Sequence, residues 1–446
     1  MHPVYVADGV FWDAETDSKK TSSFSVLPLH ETLDSVASDG EEDDWCNIED
    51  SQRGFLTALS AWGSRTGVAT DTGDFVCIGL WGDSAPHTHR DSLNLIQFTV
   101  LSGIHRKRYW ICAFPKRDMC RCGCFGRCSF DAVFEVAAWS LRALAAGVFP
   151  SVDHKGVPFP EESYRGKLAK KPMKVRGACV AMCADWAWHK QVLGMQGWRG
   201  EGAEKRMCWM CCANSSNCFD VSMAATWRTQ LVDALTFWEQ AAHNRRYISS
   251  AWSIPGFSIS LVRPDFMHTV CLGVLQYLGG NVMYDCFRAL GGTWGNSRAA
   301  VSKLEAIVKT MARQLAVPPP FHCLTIGMFR SSGAQKPKLK LKAAEGRYCL
   351  PLVRHMLEHC FPTDTLYAKT RLLCVGHLCK CYAELDNWVD GGESRLRLAS
   401  HARKHVVLYQ ELSRLSTDEL MWHMYPKHHL FVHVAETSYV NPRCRL

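Results

Sequence analysis

No apolar run in this chain is long enough to cross a bilayer. The longest stretch, residues 133–149, is broken by Glu135 and Arg142 and reads as an amphipathic helix. The opening residues, Met-His-Pro-Val-Tyr-Val-Ala-Asp, lack the pattern of a secretory signal, so the 22 cysteines are not expected to form a secreted disulfide framework. We expect a reduced intracellular or nuclear protein in which some cysteines bind metal. No internal repeat is visible, so the sequence offers no sign of a repeat array. The word His-Glu-x-x-His is also missing, which weakens a reading as a zinc hydrolase built on Asp265, His268 and nearby Cys or His.

A large core is present. The chain has 446 residues, is 47% hydrophobic and holds 16 Trp, which suits one large domain with insertions or a few ordinary ones. Its net charge of +8 is unevenly spread: residues 1–60 carry 3 Lys/Arg against 13 Asp/Glu, leaving 48 against 30 for the rest. A basic body suits a polyanion such as nucleic acid, although a merely soluble surface would look similar. The basic candidates for DNA contact are Lys167, Lys170, Lys171, Lys174 and Arg176, and then Lys336, Lys338, Lys340 and Lys342. Each group reads equally as a nuclear import signal or a solvated loop.

The acidic leader, residues 1–70, is expected to be peripheral and partly disordered. Short apolar runs at 74–81, 92–101 and 108–114 predict three strands, residues 130–147 a helix, and 177–184 a fourth strand. The fold class is therefore α/β, with a β-β-β-α-β core over residues 71–198. Helical periodicity then dominates residues 199–425, at 223–242, 264–290, 297–315, 348–360, 364–386 and 393–415. A last helical piece, from about 428 to 436, falls in a segment 426–446 that is expected to return to the core and to be truncated.

Two aspartates, Asp83 and Asp185, each close a predicted buried strand, where a rigid sheet presents a carboxylate to solvent. Such groups suit a two-metal phosphoryl-transfer site, since Mg²⁺ takes oxygen ligands. Taken singly, each is also ordinary turn chemistry. Cys208-Trp-Met-Cys211 has the paired-thiolate spacing of a zinc knuckle, with Cys218, His243 and His268 as candidates to complete it. Cys120, Cys122, Cys124 and Cys128 offer a second, structural zinc loop. Asp265 and His268 share one face of a helix start, as site support or as a cap. His87 and His89 read as loop residues.

Together these words resemble transposases of the CACTA type and their relatives in the CMC superfamily, DDE/D enzymes with an RNase H-like catalytic core. Trp-Gly-Asp83-Ser-Ala-Pro resembles the family's first-aspartate segment, and Ala-Asp185-Trp-Ala-Trp its second. Cys208-x-x-Cys211 and Asp265-x-x-His268 fall where the family has such pairs. His429-Leu-Phe-Val-His433-Val-Ala-Glu436 resembles its late acidic segment. The resemblance implies Asp83, Asp185 and Glu436 as ligands of two Mg²⁺ or Mn²⁺ ions, Asp265 and His268 in support, and structural zinc on Cys208, Cys211 and Cys218. It also implies double-stranded transposon ends as substrate, hydrolysis and strand transfer as chemistry, and a homo-oligomer on DNA. A catalytically dead, host-recruited DNA- or chromatin-binding derivative is the alternative expectation.

Overall fold

Three of the predicted strands form an antiparallel meander: β3 (Phe75–Pro86), β4 (Ser92–Val100) and β5 (Arg108–Pro115). The chain then crosses over through a 20-residue helix, α3 (Arg127–Ala146), and re-enters as β6 (Arg176–Ala184), parallel to β3. A three-residue strand, β7 (Val262–Pro264), adds on parallel to β6, giving the order β5-β4-β3-β6-β7. The computed structural model describes residues 2–41, 45, 53–70, 75–89, 91–102, 107–195, 206–238, 248–330, 332–389 and 392–438.

Both faces of this mixed sheet are covered, which is why β3 and β6 read as continuous apolar runs. Val76, Ile78 and Leu80 face α3 and the main core, while Phe75, Cys77 and Trp81 pack with Phe55, Leu59 and Trp62 of α2 (Arg53–Thr66). Between Ile78 and Gly79 the register shifts by one residue against β6. That irregularity places Val180 and Ala181 side by side on the α2 face.

Within the acidic leader, a hairpin of β1 (Tyr5–Asp13) and β2 (Ser18–Val26) leads into α1 (Leu29–Val36). Tyr5, Ala7 and Phe11 alternate inward and are buried, a strand signal that the surrounding charge obscured. Gly9 lies so close to α3 that a Cβ there would meet the Ala132 Cβ at 2.7 Å. The leader's acidic run, 42–44 and 46–52, lies outside the described residues.

The rest of the chain is largely helical: α5 (Leu275–Ala289), α6 (Arg298–Gln314), α7 (Ala343–Cys360), α8 (Leu366–Asp386), α9 (Glu393–Leu415) and α10 (Pro426–Thr437), after α4 (Trp186–Leu193). A π-helical stretch, Met267–Val274, runs into α5. The helix expected over 223–242 forms only at residues 234–238 of its described part and is replaced by non-α backbone before them. There the backbone pairs across instead, with a bridge between Cys211 and Leu231 and a bond from Val232 N to the Met210 carbonyl. The short α10 is buried on nearly every face and runs back to the sheet. Among the described residues no helix is long and apolar enough to cross a membrane.

Candidate functional site

Trp81 on β3 pairs with Cys183 on β6, and Cys183 pairs with Arg263 on β7. Asp83, Asp185 and Asp265 each lie two residues further along these three parallel strands. Neighbouring strands lie roughly 4.8 Å apart, so the three Cα atoms span about 10 Å at one level of the sheet's C-terminal edge. Strand alternation puts Asp83 on the face that carries Trp81, and Asp185 and Asp265 directly follow the last residues of β6 and β7. Arg108 lies within electrostatic reach of both Asp83 and Asp265, and Lys427 and His268 each within reach of Asp265 and Asp185.

Each carboxylate is oriented by its own local backbone. Asp83 Oδ1 accepts from Ser84 N at 2.7 Å. Asp185 is the N-cap of α4, its Oδ1 accepting from Trp188 N at 2.7 Å. Asp265 Oδ2 accepts from His268 N at 2.7 Å and pairs with His268 Nδ1 at 2.6 Å. That pairing raises the His268 pKa against the opposing effect of burial. The second oxygen of each aspartate has no partner among the described residues, so the set fits a divalent ion that prefers oxygen ligands.

Asp185, Asp265 and His268 line a cavity of about 280 Å³ together with Trp186, Tyr277, Tyr425 and Lys427. Lys427, from the first turn of α10, donates to the carbonyls of His268 at 2.7 Å and Leu272 at 3.2 Å. It thereby occupies backbone acceptors in the π-helical stretch. Burial brings Lys427 down to about 8, with Lys338 pushing the same way and the two aspartates opposing. Tyr277 and Tyr425 stack at 3.9 Å, with Lys338 and Lys336 over their rings. Those two members of the second basic segment therefore lie beside the cavity, while Lys342 caps α7.

Glu436 does not line the cavity that Asp185 and Asp265 share. Nine residues along a helix from Lys427 is about two and a half turns, so Glu436 lies roughly 14 Å along the helix from Lys427 and on the opposite side of α10. Its oxygens accept from Arg228 Nη1 at 2.5 Å and Arg403 Nη1 at 2.8 Å. The first basic group is remote as well, because Arg176 starts β6, about 30 Å of strand from Asp185. Its guanidinium stacks over Phe75 and its Nε donates to the Ala145 carbonyl. Lys167 pairs with Glu162 on the surface.

The face of α10 that carries Glu436 also carries two histidines of a set that could hold a metal ion. Cys208, Cys211, His429 and His433 are buried, and their ligand atoms all lie within 4.8 Å of one another. Cys211 Sγ is 3.3 Å from each Nε2, and the two Nε2 atoms are 3.0 Å apart. A tetrahedral zinc separates such donors by about 3.3–3.8 Å, so the four fit one ion closing a Cys₂His₂ site. Cys211 is brought down to about 3, by hydrogen bonding from Cys208 first and from both imidazoles after it. Cys218 lies outside the four: its sulfur meets Met207, and its carbonyl accepts from His429 Nδ1 at 2.8 Å. That bond fixes the tautomer which frees Nε2 for metal. His268 is held by Asp265, and His243 lies outside the described residues.

Cys120, Cys122, Cys124 and Cys128 form a second set within the same limit. Left-handed backbone at Gly123, Phe125 and Gly126 curls the loop around it. Burial opposes ionisation of Cys122, but hydrogen bonds from Cys120, Cys124 and Lys19 outweigh it and bring the thiol to about 6. These groups could hold zinc. A third cluster, His355, Glu358 and His359, is surface-exposed on α7, with Glu358 paired to Arg354.

The partners that sequence reading missed are His429 and His433. Their i, i+4 spacing on a helix was the available signal, to be set against Cys-x-x-Cys more than two hundred residues earlier. No protein-family model matches the chain, and no curated protein is significantly similar to it.

Proposed function

We propose that the chain is a transposase-like protein with an RNase H-like core, whose Asp83, Asp185 and Asp265 hold Mg²⁺ or Mn²⁺ for phosphodiester cleavage at DNA ends. The observation that carries this reading is the shared level of the three aspartates at the C-terminal edge of parallel strands, a position favoured for ligand sites in sheets of this kind. Asp265 takes the third place that the resemblance gave to Glu436, because Glu436 is neutralised by Arg228 and Arg403 on the far side of α10.

Bound there, divalent ions would activate a water, or a DNA 3′-hydroxyl for strand transfer, and stabilise the departing oxygen. The protein's own residues supply rigidity. Asp185 is fixed by its cap, Asp265 by His268, and Lys427 adds a cation held by two carbonyls. The zinc-fitting set fastens α10 to the segment around Cys208, and so holds Lys427 at the cavity. The double-stranded DNA partner and homo-oligomeric assembly belong to this same reading.

The alternative, a non-catalytic DNA-binding derivative, is favoured by one feature: the Lys427 ammonium lines the cavity beside Asp185 and Asp265, where an all-carboxylate site would carry negative charge. Nicking of supercoiled plasmid in Mn²⁺ separates the two. Wild type should nick, and Asp185→Asn should lose about 100-fold or more, roughly 2.7 kcal/mol of barrier. Asn preserves the helix cap, so the loss would not reflect a missing α4 start. Plasmid binding without nicking by wild type would instead support the derivative.

A further inference from the structure

Beyond the aspartates and the two cysteine-containing sets, one more group of metal-binding side chains converges among the described residues. His355, Glu358 and His359 lie on α7 at i, i+3 and i+4, and one donor atom from each falls within 4.8 Å of the others. The two imidazole centroids are 4.2 Å apart, with the rings inclined at 63°. The helix itself sets that spacing, because residues three and four apart stand on one face, one turn above another. From its other side α7 is held by the core, where Leu352, Val353, Met356 and Leu357 are all buried. Donors on so anchored an element keep their backbone geometry when an ion arrives, and only side chains need adjust.

Two further features favour a cation at this point. Arg354 donates Nε to Glu358 Oε1 at 2.9 Å. It thereby orients the carboxylate, as outer partners do for metal ligands, while Oε2 remains for an ion. In addition, α7 ends at Cys360, so Glu358 and His359 sit on its last turn, where unpaired carbonyls make the helix end negative. Two imidazoles with one carboxylate suit a borderline divalent ion such as Zn²⁺ or Ni²⁺, whereas Mg²⁺ and Mn²⁺ prefer oxygen alone. Three donors also differ from the four of Cys208, Cys211, His429 and His433: they do not close a tetrahedron, so a fourth position stays open to water. We propose that His355, Glu358 and His359 form an open, exchangeable site for a zinc-like transition ion, separate from the buried Cys₂His₂ set and from the aspartates. The site stands or falls independently of the function proposed above.

The test is calorimetric titration of the full, zinc-loaded chain with Ni²⁺ in a large excess of Mg²⁺, which occupies sites that take oxygen ligands alone. Wild type should bind one equivalent of Ni²⁺ under these conditions. His355→Ala and His359→Ala should each weaken that binding by about tenfold or more, since losing even an outer partner of a metal ligand costs about that much. Glu358→Gln, which keeps the side-chain size and removes the charge, should weaken it by about tenfold as well. His359 and Glu358 are exposed, so their variants should melt with wild type in the absence of Ni²⁺. They carry the comparison where the half-buried His355→Ala melts early. His322→Ala removes an exposed histidine outside the cluster and should leave the affinity unchanged. Unaltered Ni²⁺ affinity in His359→Ala and Glu358→Gln would overturn the site, as would loss of the bound equivalent to the excess Mg²⁺. Equal weakening by His322→Ala would overturn it too, marking an adventitious ion only, held by scattered surface histidines.

Discussion

Two histidines and two cysteines carry the clearest residue-level chemistry in the molecule. Cys208, Cys211, His429 and His433 are each buried, and four such groups without an ion would leave donors and lone pairs badly matched. Purified protein should therefore contain zinc, and His433→Ala or Cys211→Ser should each remove one equivalent by elemental analysis. Thermal unfolding should move to markedly lower temperature, because the binding free energy of a structural zinc is folding free energy, on the order of 10 kcal/mol in small domains. Zinc content unchanged by either substitution would sink the site. Glu436, three residues beyond His433, contributes differently. Glu436→Gln leaves two mostly buried guanidinium groups short of an anion and should cost about 2–3 kcal/mol in urea unfolding. If the three aspartates carry the chemistry, nicking per folded molecule should survive this change, whereas a third catalytic acid at 436 would abolish it.

At the scale of elements, the close approach of β3 to α4 decides where Asp185 sits. A Cβ on Gly82 would lie 1.9 Å from the Trp188 ring, and Trp188 is the residue whose N–H the Asp185 carboxylate caps. Gly82→Ala must push α4 away from the sheet, at a cost of about 1–3 kcal/mol. It should also lower nicking more than stability, readable as reduced activity under conditions where the variant remains folded. The strands that place the site were legible because β3 and β6 are covered on both faces and so read as apolar runs. β7 was not, since three residues ending in Pro264 look like the entry to the following helix, with Asp265 as its capping acid. Tyr5, Ala7 and Phe11 carry a period of two that the composition of the leader hid. Asp83, Asp185, Asp265 and Cys208 to Cys211 were all visible as local words. What no local word could give was which of them meet. His433 joins Cys211 rather than accompanying a catalytic Glu436, and only the turn of α10 separates the Lys427 face from the Glu436 face.

For the whole molecule, the buried imidazoles set the response to acid. His30, packed between the leader and α3, bonds to Ser140 Oγ at 2.8 Å and stands near Glu31, Arg165 and His2, and burial brings it down to about 3. His405, on α9 against α8, pairs with the Cys374 carbonyl at 2.9 Å and is brought by burial to about 4. Both are bases whose folded pKa lies below the unfolded value of about 6.5. As pH falls below that value the unfolded chain takes up these protons first, so their contribution to stability is complete above about pH 6.5 and is lost toward pH 4. Two such groups give a slope of about 2.7 kcal/mol per pH unit in that window. A domain with 5–15 kcal/mol in hand loses much of it by about pH 4.5. Urea midpoints at pH 7, 6 and 5 should therefore fall steeply. The double variant His30→Asn, His405→Asn, whose amide offers both a donor and an acceptor near each Nδ1 position, should start less stable but fall by about 2.7 kcal/mol less per unit. Parallel curves for the two proteins would show that the acid response arises from other groups, and that these two imidazoles are not held neutral by the fold.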